Sequence, residues 1–214
     1  MNKHLTELVF ILDRSGSMSG LESDTIGGYN GLLEKQKKET GEAVITTVLF
    51  DDQYELLHDR IPITGVDKIS HKEYFVRGTT ALLDAIGKTI SKIDNVHDHT
   101  KKSERAGQVM FVITTDGLEN ASREYSADQV RKLIERKKKA GWEFIFLGAN
   151  IDAVETARSF GISEDRAVNY HADAEGTLLN YAVVNEIVSQ MRAGSPISKD
   201  WKSKIEEDFK KRKN

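Results

Sequence analysis

Short apolar runs rich in Val, Ile and Phe alternate along the chain with longer amphipathic stretches, a pattern that predicts βαβ units and a largely parallel sheet. "ELVFILD" (7–13) is the first buried strand. "SDTIGGYNGLLEKQKKET" (23–40) then reads as a helix with Ser23 or Asp24 as N-cap, with Ile26, Tyr29, Leu32 and Leu33 on one face and Gly41 past its end. "EAVITTVLF" (42–50) and "YELLHDRIPI" (54–63) flank the turn "DDQ" and predict an antiparallel pair, with Pro62 marking the second strand as an edge. "TALLDAIGKTISKID" (80–94) sets Leu82, Leu83, Ile86, Ile90 and Ile93 on one side of a helix. "GQVMFVITTDG" (107–117) is a second fully apolar strand, followed by a helix over 126–141 and a third strand, "WEFIFLGAN" (142–150). A helix from Asp152 to Gly161, a short strand over 167–171 and a helix over 174–193 complete the alternation. Trp201, Ile205 and Phe209 recur every fourth residue and predict a last helix that docks by one narrow stripe.

This order predicts an α/β fold: a Rossmann-like, doubly wound, mainly parallel sheet of about six strands with helices on both faces. At 214 residues the chain suffices for one full core, expected over 1–195, with 196–214 as a helical tail packing on the same domain. A content of 38% hydrophobic and 30% charged residues is that of an ordinary globular protein. No apolar run approaches the ~18 residues of a bilayer span, and "MNKHLTELVF" is too short for a signal peptide, so the expected location is the cytoplasm. With no cysteine, any metal must be held by oxygen or imidazole. A net charge of −3 gives no global attraction to nucleic acid, and the basic "KKRKN" (210–214) reads as a solvated end, so neither nucleic acid nor membrane is an expected partner.

Three segments carry candidate chemistry: "DRSGS" (13–17) after the first strand, "RGTT" (77–80) before the second major helix, and "TTDG" (114–117) after the central strand. Ligands of open parallel sheets bind in the crevice beyond the carboxyl ends of the strands, where the first and last of these segments must lie. Together they offer the carboxylates of Asp13 and Asp116 and the hydroxyls of Ser15, Ser17 and one of Thr79 or Thr80. Such a hard, all-oxygen set suits Mg²⁺, with Mn²⁺ or Ca²⁺ as substitutes.

These residues resemble the metal-ion-dependent adhesion site (MIDAS) of von Willebrand factor type A (vWA) domains, whose pattern is Asp-x-Ser-x-Ser, a distant Thr and a distant Asp. The resemblance extends through the order of predicted elements over about residues 5–193. It implies that Ser15, Ser17 and Thr79 bind the metal directly and that Asp13 and Asp116 bind it directly or through water. Thr79 is preferred because the threonine of the family follows a glycine, here Gly78; Arg77 stands where a preceding glycine is usual, which brings a guanidinium to the rim. Arg14, Met18, Asp51, Asp52, Glu119 and Asn120 are the other expected rim residues. The implied function is protein–protein interaction without catalysis: a cation held mainly by neutral hydroxyls keeps charge uncompensated and takes an Asp or Glu carboxylate of a protein partner. "FIFLGANIDAVETARSFGI" is most similar to intracellular single-domain members of the bacterial type, among them tellurite-resistance-associated proteins and subunits acting beside AAA+ ATPases. The resemblance thus implies an AAA+ ATPase or a stress-response complex as the class of partner.

The rival readings are weaker. A Mg²⁺-dependent phosphoester hydrolase of the haloacid-dehalogenase type also opens with an Asp after its first strand, but needs a second carboxylate two residues on, where this chain has Ser15. "IGKT" (86–89) lacks the earlier glycine of a phosphate-binding loop, with Leu82 in its place. No G-x-S-x-G elbow is present, and "HDH" (97–99) is expected in a solvated loop without a third ligand.

Overall fold

The computed structural model describes residues 1–212; the last two residues of the basic run and of the expected 196–214 tail lie outside the described residues. The strands are β1 (Asn2–Asp13), β2 (Glu42–Phe50), β3 (Tyr54–Pro62), β4 (Ala106–Thr115), β5 (Glu143–Ala149) and β6 (Ala167–Tyr170). The helices are α1 (Glu22–Gln36), α2 (Leu82–His99), α3 (Ala127–Lys139), α4 (Ala153–Ser159), α5 (Ala174–Arg192) and α6 (Ser203–Lys211). The six strands form one sheet in the order β3-β2-β1-β4-β5-β6, parallel throughout except for the antiparallel pairing of β3 with β2.

Central strands covered on both faces must be apolar on both, and β1 is: Leu8, Phe10 and Leu12 enter one core, Val9 and Ile11 the other. The first core is closed by α1 and α5, with Tyr29, Leu32, Leu33, Val184, Ile187 and Val188. The second is closed by α2, α3 and α4, with Ile86, Ile90, Ile93, Val130, Ile134 and Ala157. Because β1 lies between β2 and β4, the chain leaves the ends of β1 and β4 toward opposite faces, which opens the crevice at their carboxyl ends. Among the described residues no helix is long and apolar enough to cross a membrane.

Local chemistry sets several boundaries. Ser126 and Gln129 form a reciprocal capping box at α3, and Asp152 and Asp173 accept the amides of Glu155 and Gly176 at the starts of α4 and α5. The first helix stops at Gln36, four residues short of the sequence expectation, and the chain turns back through Gly41 at φ +86°. The second runs on to His99, so "HDH" is its last turn and not the expected solvated loop. His97 is buried there, its Nε2 2.7 Å from Oε2 of Glu7, a fully buried carboxylate of β1 that also pairs with Arg60 Nε at 2.6 Å. Tertiary pairing with Glu7 extends the helix past its apolar stripe. The last helix packs through Ile205, with Trp201 just ahead of it donating Nε1–H to the Asp165 carbonyl at 2.7 Å and Phe209 stacked on His171.

The α1–α5 contact depends on a missing side chain. A Cβ on Gly28 would stand 2.1 Å from Cδ2 of the buried Tyr181, whereas one on Gly31 would meet nothing within 4 Å. Urea unfolding should show Gly28→Ala destabilised by about 1–3 kcal/mol through overpacking, and Gly31→Ala unchanged or stabilised by up to about 1 kcal/mol through helix propensity.

Candidate metal centre

Asp13 is the last residue of β1, and its neighbours in the sheet are the ends of β2 and β4. Its side chain is buried, with Oδ1 accepting the Ser15 amide at 2.7 Å and Oδ2 accepting the Thr115 hydroxyl at 2.5 Å. The Tyr74 hydroxyl donates to the Asp13 carbonyl at 2.5 Å, which anchors the turn from beneath. Ser15 lies under the turn with its Oγ 3.0 Å from Ser17 Oγ and accepting the Thr80 hydroxyl at 3.0 Å. Three hydroxyls from two loops thus stand in one file. Asp116 follows β4 and is also buried, but neither of its oxygens has a hydrogen-bond partner among the described residues. Gly117 presses on the file: a Cβ there would stand 2.8 Å from Thr80 Oγ1 and 2.9 Å from Ser17 Oγ.

Of the five residues expected at the site, Asp13, Ser15, Ser17 and Asp116 come to the crevice and Thr79 does not join them. Thr79 is exposed, and the adjacent Thr80, 3% exposed, faces Ser15. Backbone pinning makes this choice. The Gly16 amide donates to the Gly78 carbonyl at 3.2 Å, the Arg77 amide to the Arg14 carbonyl at 2.9 Å, and the Ala81 amide to the Asp51 carbonyl at 2.8 Å. Asn120 Oδ1 accepts the Thr80 amide at 2.9 Å, and Gly78 turns the chain at φ +66°. The N-cap of α2 is Ala81, and Glu119 Oε2 accepts the Leu83 amide at 2.8 Å.

The expected rim is also different. Arg14 and Asp51 are fully buried and Met18 is 1% exposed, so none of the three can meet a ligand from solvent. Arg14 Nε and Arg77 Nε converge on Asp51 Oδ2 at 2.9 and 2.7 Å, and Phe75 lies beneath both guanidiniums. Burial resists ionisation of Asp51, but Arg77, the Gln53 amide and Arg14 outweigh it and hold the carboxyl below its ordinary value. Thr115, Tyr74 and Gly117 are site residues that sequence reading missed. The Thr115 hydroxyl in "TTDG" was a visible signal; Tyr74 left none, because its role exists only through a contact across 61 positions.

The donors fit a hard divalent cation. Among the described residues no three His, Cys, Asp or Glu side chains cluster, so a cation here would be offered two carboxylates, Asp13 and Asp116, and the hydroxyls of Ser15, Ser17 and Thr80. Burial pushes Asp13 up to about 6, with Thr115 and Ser15 opposing and the Asp116 charge adding to the rise. Burial raises Asp116 too, opposed by the nearby Ser17 hydroxyl. Two buried acids that resist ionisation together are what a bound cation relieves.

No protein-family model matches the chain, and no curated protein matches it in sequence. Solved structures do. Proximal thread matrix protein 1 from the mussel byssus, with a zinc-occupied MIDAS motif, aligns at 12% identity and TM-score 0.55, over 88% of this chain and 47% of that one. The ArnB paralog VWA2 from Sulfolobus acidocaldarius aligns at 20% identity and TM-score 0.54, over 86% of this chain and 45% of that one. The SpRpn10 VWA domain aligns at 10% identity and TM-score 0.54, over 86% of this chain and 95% of that one. This chain therefore spans about half the length of the first two and nearly all of the third. The likeness establishes the fold: a six-stranded, mostly parallel sheet flanked by helices, as in vWA domains.

The raised Asp13 makes a pH prediction. The folded state holds this proton more tightly than the unfolded chain, whose carboxyl titrates near 3.8, so its contribution is full below that pH and lost as pH rises through about 6. With chelator present, urea unfolding should show stability falling by about 2–3 kcal/mol from this group between pH 4 and 7, and Asp13→Asn should flatten that fall.

Proposed function

We propose that this chain is a metal-dependent protein-interaction module, in which Ser15, Ser17, Thr80 and Asp116 hold a divalent cation, with Asp13 behind them, to bind an Asp or Glu carboxylate of a partner protein. The observation that carries the reading is the pair of buried, unpartnered Asp116 oxygens beside a file of three hydroxyls. When bound, the cation supplies positive charge for an incoming acid. The residues themselves do the rest. Asp13 spends both oxygens inside the protein, on the Ser15 amide and the Thr115 hydroxyl, so it orients the turn. Ser15 aligns Ser17 and Thr80 by its two hydroxyl contacts. Asn120 and Gly117 hold the Thr80 and Asp116 loops against each other.

A binding role in place of catalysis is supported by Ser15, which stands where the phosphoester chemistry would require a second acid. We further propose the cytoplasm as its location and an AAA+ ATPase or stress-response complex as the class of partner, on the strength of the sequence resemblance, and Mg²⁺ as the ion, because the donors are hard oxygens.

Calorimetric titration with Mg²⁺ should show binding weakened about tenfold or more by Ser17→Ala and by Thr80→Ala, and unchanged by Thr79→Ala, with the far-ultraviolet circular dichroism of all three preserved. Wild-type affinity in Thr80→Ala would refute the ligand set. A generic aryl phosphate offered with Mg²⁺ should give no turnover; turnover that disappears in Asp13→Asn would establish the hydrolase instead.

A further inference from the structure

Behind the loop that carries Thr80 lies a cavity of about 280 Å³. Thr79 forms part of its wall while Thr80 faces Ser15, so adjacent residues of one loop border the cavity and the metal centre. Buried Phe50, Ala81 and Ala85, together with Tyr54, contribute apolar surface. The charged lining is Asp52, Asp84 and Glu124 against Lys88 and Arg123.

Most of these charges are already engaged. Asp84 accepts the amides of Arg123, Glu124 and Tyr125 at 2.8–2.9 Å. Lys88 pairs with Glu124 at 2.7 Å and lies 5.8 Å from the centre of the Tyr54 ring, whose face therefore already meets one cation. Asp52 is different. It makes no hydrogen bond or ion pair among the described residues, and it lies against Gly78, where an added Cβ would stand 2.0 Å from its Oδ1. Its cationic neighbour Arg77 bonds Asp51 and Gln53 and meets Asp52 only through the field between their charges. Arg123, the other unpaired charge, is exposed on the loop after β4.

We propose that this cavity receives an arginine or lysine of the partner, within a few residues of the acid that the metal centre binds; the inference rests on the metal-dependent reading above. Acids outnumber bases in the lining, Phe50, Ala81 and Ala85 suit an aliphatic stem, and Asp52 suits its cationic end. An acidic residue in the same place would meet the unpaired Asp52 as a like charge.

The test uses an array of immobilised peptides, each with a central aspartate and with every flanking position varied through Arg, Leu, Ala and Glu. The full chain is applied in Mg²⁺ or in chelator, as wild type, Ser17→Ala, Asp52→Asn and Asp52→Lys. Wild type should bind only with Mg²⁺, about tenfold better with Arg than with Glu at one flanking position, a difference of about 1.4 kcal/mol. Asp52→Asn should lose that preference, Asp52→Lys should invert it, and Ser17→Ala should bind nothing. Asp52 is exposed and unbonded, so both variants should melt with wild type. Binding that needs Mg²⁺ and Ser17 but ignores the basic residue, or a preference that survives Asp52→Asn, would overturn the cavity assignment and leave the metal reading standing. Binding indifferent to chelator and to Ser17→Ala, or no binding to any peptide, would overturn the metal reading and this inference with it.

Discussion

Two carboxylates, Asp13 and Asp116, are buried at the carboxyl ends of adjacent central strands, and their lost hydration, with a smaller repulsion of Asp13 by the Asp116 charge, is the constraint around which the crevice is arranged. The protein satisfies one of them. Asp13 receives an amide and a hydroxyl, and its backbone carbonyl is taken by Tyr74. It leaves the other with no hydrogen bond among the described residues, although buried polar groups are nearly always paired. A bound hard cation would resolve both conditions, by neutralising the pair and by supplying the partner that Asp116 lacks.

The surrounding charges hold this arrangement in place. Arg14 sits between Asp13 and Ser15 in sequence but turns the opposite way, into a buried ion pair with Asp51 that Arg77 shares. Removing one member of such a pair strands a buried charge, whereas the intact network ties the ends of β1 and β2 to the loop ahead of α2. That loop is tied to the loop after β4 through Asn120, and the first turn of α2 is tied to the same loop through Glu119 and Asp84. Three segments distant in sequence are thereby held to one geometry before any ligand arrives, the preorganisation that a binding site on rigid elements requires.

The vWA fold is shared with proteins as different as a byssus matrix protein and the SpRpn10 domain, so the fold alone assigns no partner. Any such assignment must come from the crevice of this chain, where Arg77 and the buried Arg14 share Asp51 and a cavity has Asp52 on its wall.

The order of elements, the antiparallel edge pair and the crevice were legible in the chain alone, because strand and helix periodicity is a local property and β1 and β4 are apolar on both faces. So were Asp13, Ser15, Ser17 and Asp116, since strand ends in a parallel sheet point chemistry to one edge. Which of Thr79 and Thr80 turns inward was not legible: Asn120, Asp51 and Gly16 decide it through backbone bonds across 40, 30 and 62 positions. The burial of Arg14, the reach of α2 to His97 and the hold of Tyr74 on Asp13 were hidden for the same reason. Periodicity tells a residue which face of its own element it occupies; only packing between elements tells it what it will meet there.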